Sequence, residues 1–130
     1  MLVILIADDS ATARMIVQRC VEMVCSSQAT FLEASNGQIA LEMVRNAHID
    51  LLITDLNMPC MNGKELLRSI KASPRMNHIP VVVISSQANP ALELELTEIG
   101  ADKVLHKPIS PELLKKAFDF LTAKDAFHDS

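Results

Sequence analysis

Three carboxylates (Asp8, Asp9 and Asp55), one hydroxyl (Ser85) and one ammonium (Lys107) stand out because each lies at or just past the end of a short apolar run. Carboxylates brought together are costly. Two unit charges about 4 Å apart repel by about 4 kcal/mol at an effective dielectric of about 20. Either one carboxyl keeps its proton or a cation binds among them. Oxygen donors of this number suit Mg²⁺, which retains several waters and usually shares its site with a phosphate. Lys107 offers a second positive charge to an incoming anion, and Ser85 offers a hydrogen bond. The set points to phosphoryl chemistry on a carboxylate nucleophile. Asp55 is the natural nucleophile because it follows the middle run, with Lys107 stabilising the charge that develops. An Asp-Asp pair after a strand usually starts a loop, and Lys-Pro is usually a turn. Their joint placement at four strand ends carries the reading.

The elements that must position these groups follow from the pattern of runs. Leu2–Ala7, Ala29–Glu33, Leu51–Thr54, Pro80–Ser85 and Lys103–Leu105 alternate with amphipathic stretches. Four of the runs are short and rich in Val, Ile or Leu, as buried parallel strands are. Ala29–Glu33 is more polar and better suited to an edge. Ser10 precedes a helical stretch on which Ile16, Cys20, Met23 and Val24 share one face. Ser35 to Gln38 reads as a capping box. Asn89-Pro90 and Ser110-Pro111 each place a cap before a proline at the first helical position. Gly100 sits where a helix C-terminus wants a left-handed residue. Leu92 to Leu96 alternates like a strand, but the Asn-Pro start and Gly100 stop favour a helix with Leu92, Leu96 and Ile99 inward and Leu94 exposed. The order βαβαβαβαβα implies an α/β fold with a parallel sheet, helices on both faces, and ligands at the carboxyl ends of the strands.

The chain has 130 residues, which fits one compact domain over 1–130 with enough apolar surface for a core. Its opening run, Met1 to Ala7, is too short for a membrane span and lacks the flanks of a signal peptide. A formal charge of −4, with no Trp or Tyr, excludes a basic nucleic-acid footprint or base-stacking platform. Cys20, Cys25 and Cys60 form no C-x-x-C pair and read as reduced thiols of a cytoplasmic protein. His48, His78, His106 and His128 make no zinc-type pair and read as surface or structural.

These motifs resemble the receiver family of two-component signalling, most closely its single-domain chemotaxis type. The resemblance runs from Leu2 to Leu121 and rests on Asp8-Asp9, the stretch from Asp55 to Gly63, Ser85, and Lys107-Pro108. It implies a flavodoxin-like (βα)5 fold with strand order 2-1-3-4-5. It also implies a signalling switch that catalyses only its own phosphorylation and slow dephosphorylation. In that frame Asp55 accepts the phosphoryl group from a phosphohistidine on a sensor histidine kinase or phosphotransfer protein. Asp9 and Asp55 hold Mg²⁺ with the backbone carbonyl of Asn57, and Asp8 assists through water or as a second acid. Lys107 pairs with a phosphoryl oxygen, and the Ser85 hydroxyl swings toward it. Pro59 and Gly63 shape the loop after the acceptor, and Asn57 and Gln87 tune how fast water removes the group. The fourth helix, fifth strand and fifth helix would present the output surface, with Leu94, His106 and the Ser110–Leu121 helix as candidates. Phe118 and Phe120 cannot both face the core of that helix. Two positions depart from the family pattern: Val104 stands where an aromatic switch residue is common, and Leu56 follows the acceptor.

Other classes fit less well. A haloacid-type phosphatase needs Asp-x-Asp after the first strand, whereas Asp8 and Asp9 are adjacent. A flavin site needs a first loop free of carboxylates, and three glycines cannot supply a Gly-rich phosphate loop. A receiver-like module that no longer takes a phosphoryl group would show a gap among the five site positions, and all five are filled.

Overall fold

The structure, a computed structural model, describes residues 2–25, 28–87 and 89–123. Met1 and His128 lie outside them. Strands and helices alternate as β1 (Leu2–Ala7), α1 (Ala11–Val24), β2 (Ala29–Ala34), α2 (Gly37–Asn46), β3 (Leu51–Asp55), α3 (Gly63–Lys71), β4 (Val81–Ser85), α4 (Pro90–Ile99), β5 (Lys103–His106) and α5 (Pro111–Ala123). All strand pairings are parallel, in the order β2-β1-β3-β4-β5. The polar run is thus an edge strand, as expected.

The period of two along each strand divides the apolar side chains between two cores. Ile4, Ile6, Ile53, Val82 and Ile84 join Val17 of α1 and Leu114 of α5 on one face. Leu5, Leu52 and Val83 meet Leu41, Leu66 and Leu96 of α2, α3 and α4 on the other. Every residue of β3 and β4 is buried, so these strands run apolar without alternation up to Thr54-Asp55 and Ser85 at their carboxyl ends.

Local signals set the helix starts. Ser10 Oγ accepts from Ala13 N–H, Asn89 Oδ1 accepts from Ala91 and Leu92 N–H ahead of Pro90, and Ser110 Oγ accepts from Leu113 N–H. Gly100, at φ 133°, closes α4. Leu96 is fully buried and Leu94 is 60% exposed, so the alternating segment is indeed a helix.

Two expectations are corrected. The cap of α2 is Asn36 rather than Ser35, because its side-chain oxygen, not the hydroxyl, reaches Ile39 N–H at 2.8 Å. A capping box does exist, but on α3, between Asn62 and Glu65. On α1 the inward face is Val17, Cys20 and Val21, while Ile16 and Met23 are exposed. The helix is rotated so that Val17, Cys20 and Val21 pack into the core shared with the sheet and α5.

Candidate functional site

β1 lies between β2 and β3, so strand order reverses there and a crevice opens at the carboxyl ends of β1 and β3. Asp8 and Asp9 directly follow β1, and Asp55 closes β3. One oxygen from each of the three carboxylates lies within 4.8 Å of the others. Asp8 and Asp55 are buried, and Asp9 is exposed. Lys107 Nζ sits 3.1 Å from Asp55 Oδ1 and 3.9 Å from Asp8 Oδ2.

One ammonium does not neutralise this cluster. Burial pushes the Asp8 carboxyl above its ordinary range; the Asp55 charge and a hydrogen bond with Asp9 push the same way. The Ser10 N–H, donating to Asp8 Oδ1 at 2.9 Å, and Lys107 act against them. A crowded set of hard oxygen donors, two of them on buried carboxylates, fits a small divalent cation.

Ser85 is 1% exposed and aligned with His106 across the β4–β5 ladder. Its Oγ accepts from Gln87 N–H at 3.0 Å, so the hydroxyl is held by the loop leading to α4. Lys107 N–H donates to the Ser85 carbonyl at 2.9 Å, which ties the hydroxyl-bearing and ammonium-bearing strand ends together. The loop after Asp55 carries exposed Asn57 and Pro59, and Cys60 at φ 68°. Gly63 ends this loop against its beginning. Its N–H donates to the Leu56 carbonyl at 2.8 Å, and a Cβ there would overlap the Asp55 carbonyl oxygen. The structure thus brings Asp8, Asp9, Asp55 and Lys107 into one cluster, with Ser85 one strand away and its hydroxyl engaged elsewhere.

Some contributors carried no signal in the sequence. Arg14 donates through Nη1 to the Asp8 carbonyl at 2.6 Å and through Nε to Glu33 Oε1 at 2.8 Å. Buried Thr54 donates to the Asp55 carbonyl at 3.0 Å. Both act on backbone oxygens, which side-chain patterns do not reveal. Val104, in place of an aromatic residue, packs against the α2–α3–α4 core.

The family model for the response regulator receiver domain matches residues 4–119. The chain belongs to this family. Over 116 residues the receiver is 33% identical to the chemotaxis protein CheY of Pseudomonas aeruginosa, covering 89% of this chain and 92% of that one. It is 34% identical to CheY-3 of Vibrio cholerae over 116 residues, 89% of this chain and 88% of the other. The solved structure of the chemotaxis response regulator CheY4 of Vibrio cholerae superposes with a TM-score of 0.82 at 29% identity, covering 93% of this chain and 99% of that one. The protein is therefore a response regulator receiver of the CheY type, a signalling component of two-component systems. Among the described residues no helix of this receiver is long and apolar enough to cross a membrane.

Proposed function

We propose that this receiver, acting in the cytoplasm as one unit over residues 1–130, takes a phosphoryl group onto Asp55 from a sensor histidine kinase or a phosphotransfer protein. The observation that carries the reading is the convergence of Asp8, Asp9 and Asp55 within 4.8 Å, with the Lys107 ammonium beside Asp55 and Asp8. The carboxylates of Asp8, Asp9 and Asp55, with the Asn57 backbone carbonyl, would hold Mg²⁺. When bound, the ion supplies positive charge to the phosphoryl oxygens.

A carboxylate oxygen of Asp55 attacks phosphorus, and the bond from phosphorus to the donor's imidazole nitrogen breaks. The electron pair of that bond stays on the nitrogen. Lys107 exchanges the Asp55 oxygen for a phosphoryl oxygen and so follows the new charge. Beside Asp8 and Lys107 opens a cleft of about 520 Å³ lined by Ala13, Ile16, Val17, Ile84, Pro108 and Ile109. It offers an apolar seat for a protein donor next to the acceptor and gives exposed Ile16 a role.

Ser85 Oγ also donates to the Gln87 carbonyl at 3.5 Å, and its proton must leave that carbonyl to be donated to the phosphoryl group. That release frees the loop before α4. With Val104 in place of an aromatic side chain, the response runs through this loop to the α4–β5–α5 face. There Leu94 is 60% exposed, His106 Nε2 lies 3.2 Å from Glu93 Oε2, and Lys103 Nζ stands 4.4 Å above the half-buried Phe120 ring. Phe118 is buried, so the two aromatic residues of α5 divide between core and surface. Asn57, two residues after the acceptor, and Gln87, two residues after Ser85, set how fast water removes the group.

The test is intact mass after incubation with acetyl phosphate and Mg²⁺. One phosphoryl adduct, lost in Asp55→Asn and with EDTA, is the expected result. No adduct under any condition would leave the fold standing and make this a receiver that signals without phosphorylation.

A further inference from the structure

The corner between β2 and α2 touches both the Asp8-Asp9 segment and the loop that follows Asp55, although it contributes no side chain to the site. The Ala34 carbonyl accepts from Asp8 N–H at 3.0 Å. Three residues later, Gly37 N–H donates to the Met61 carbonyl, also at 3.0 Å, in the loop that follows Asp55. Just before the corner, Glu33 holds Arg14 Nε at 2.8 Å, and Arg14 in turn donates to the Asp8 carbonyl at 2.6 Å. Both backbone polar groups of Asp8 are therefore satisfied by β2 or by a side chain anchored on it.

Gly37 is required for proximity rather than for backbone freedom. It begins α2, and the glycine with positive φ is Gly100. A Cβ on Gly37 would overlap the Met61 carbonyl oxygen and stand 2.9 Å from Met61 C and Cβ. The oxygen and C belong to the backbone, so no rotamer relieves the overlap. The loop from Leu56 to Asn62 is closed at its base by Gly63 N–H on the Leu56 carbonyl, so its apex is where displacement can be absorbed.

We infer that Gly37 is a positioning residue: the first turn of α2 sets the depth of the acceptor loop, and the β2–α2 corner acts as a strut fixing that loop relative to Asp8. The inference rests on the proposed reading of the acidic cluster as a Mg²⁺ and phosphoryl site. Residues that hold ligands in place without touching a metal typically control affinity by about 10–100-fold.

The readout is the Mg²⁺ concentration at the midpoint of a titration of the folded protein at constant temperature, read from amide chemical shifts, followed by the rate of adduct formation from acetyl phosphate. Gly37→Ala is expected to raise that concentration about tenfold, at the low end for such supporting contacts, and to slow the adduct. Ala40→Gly, a buried change in the same helix, lowers the melting temperature without moving the Mg²⁺ midpoint. Should Gly37→Ala fail to fold, Glu33→Ala decides, since that side chain is 51% exposed. It weakens the Mg²⁺ response, and Glu33→Gln, which keeps an oxygen for Arg14, restores it. A parent that responds to Mg²⁺ together with Gly37→Ala, or Glu33→Ala in its stead, at an unchanged midpoint overturns the strut alone. So does an equal midpoint shift in Ala40→Gly. A parent that ignores Mg²⁺ removes the proposed site and the strut with it.

Discussion

Lys107 Nζ lies 3.1 Å from Asp55 Oδ1 while remaining 3.9 Å from Asp8 Oδ2, so one ammonium already serves two buried carboxylates before any phosphoryl group arrives. In the proposed function it compensates charge in the resting protein and follows the charge after phosphorylation. Removing it should separate these two effects.

Lys107→Ala should lower the stability of the Mg²⁺-free protein by about 1–2 kcal/mol. This is less than the ~3–5 kcal/mol for breaking a fully buried pair, because the Lys107 side chain is 37% exposed. Mg²⁺ should narrow the gap by supplying the missing charge. Phosphoryl uptake should persist while the conformational response is lost. Denaturant melts with and without Mg²⁺, and amide chemical shifts of α4 before and after phosphorylation, measure both. A normal α4 response in the phosphorylated variant would remove Lys107 from its sensing role.

Asp8 makes a prediction about pH. Burial raises its folded pKa above the ordinary 3.8, so the folded chain keeps the proton to a higher pH than the unfolded chain does. The stability this contributes is full below the unfolded value and is lost as pH rises through the raised folded value. Asp8→Asn keeps an oxygen for the Ser10 N–H and removes that loss. Without Mg²⁺ at neutral pH, the variant should melt above the parent, and its margin should shrink toward acid pH. Added Mg²⁺ should favour the parent instead. A variant that melts below the parent in EDTA at neutral pH would contradict the crowding of charge in this pocket.

The expected architecture was legible because strand periodicity, burial and caps agreed. Leu51–Asp55 and Val81–Ser85 are buried throughout since both sheet faces are covered, with their polar residues Thr54, Asp55 and Ser85 confined to the carboxyl ends, and Asn89-Pro90 and Gly100 bracket α4 despite the strand-like alternation of Leu92 to Leu96. The acidic cluster was legible because its side chains sit at strand ends, which topology brings together. The rotation of α1 was not. Ile16 and Val17 are equally apolar, and only packing against α5 and the sheet decides which is inward. Asn36 displaced Ser35 as a cap because both residue types cap well, and the choice depends on where the first helical turn begins. Arg14 and Gly37 were invisible for another reason. Their partners are the Asp8 and Met61 carbonyls, and every residue has a carbonyl.

Ser85 tests the route from site to surface. Ser85→Ala removes the acceptor for the Gln87 N–H and should cost about 1 kcal/mol in the resting protein. Phosphoryl uptake should continue, because the hydroxyl is not the nucleophile. The shift of α4 on phosphorylation should fall sharply, read from the amides of Leu94 and Leu96. An undiminished α4 shift would mean that the signal leaves the site by another path.

The central claim is that Asp55 is the phosphoryl acceptor, and site mapping tests it most directly. The protein is incubated with acetyl phosphate and Mg²⁺, reduced with borohydride, digested and sequenced by mass spectrometry. Borohydride converts an aspartyl phosphate to homoserine. Homoserine at position 55 alone, absent when EDTA replaces Mg²⁺, is the expected result. Homoserine at Asp8, Asp9 or another carboxylate, with position 55 intact, would contradict the account.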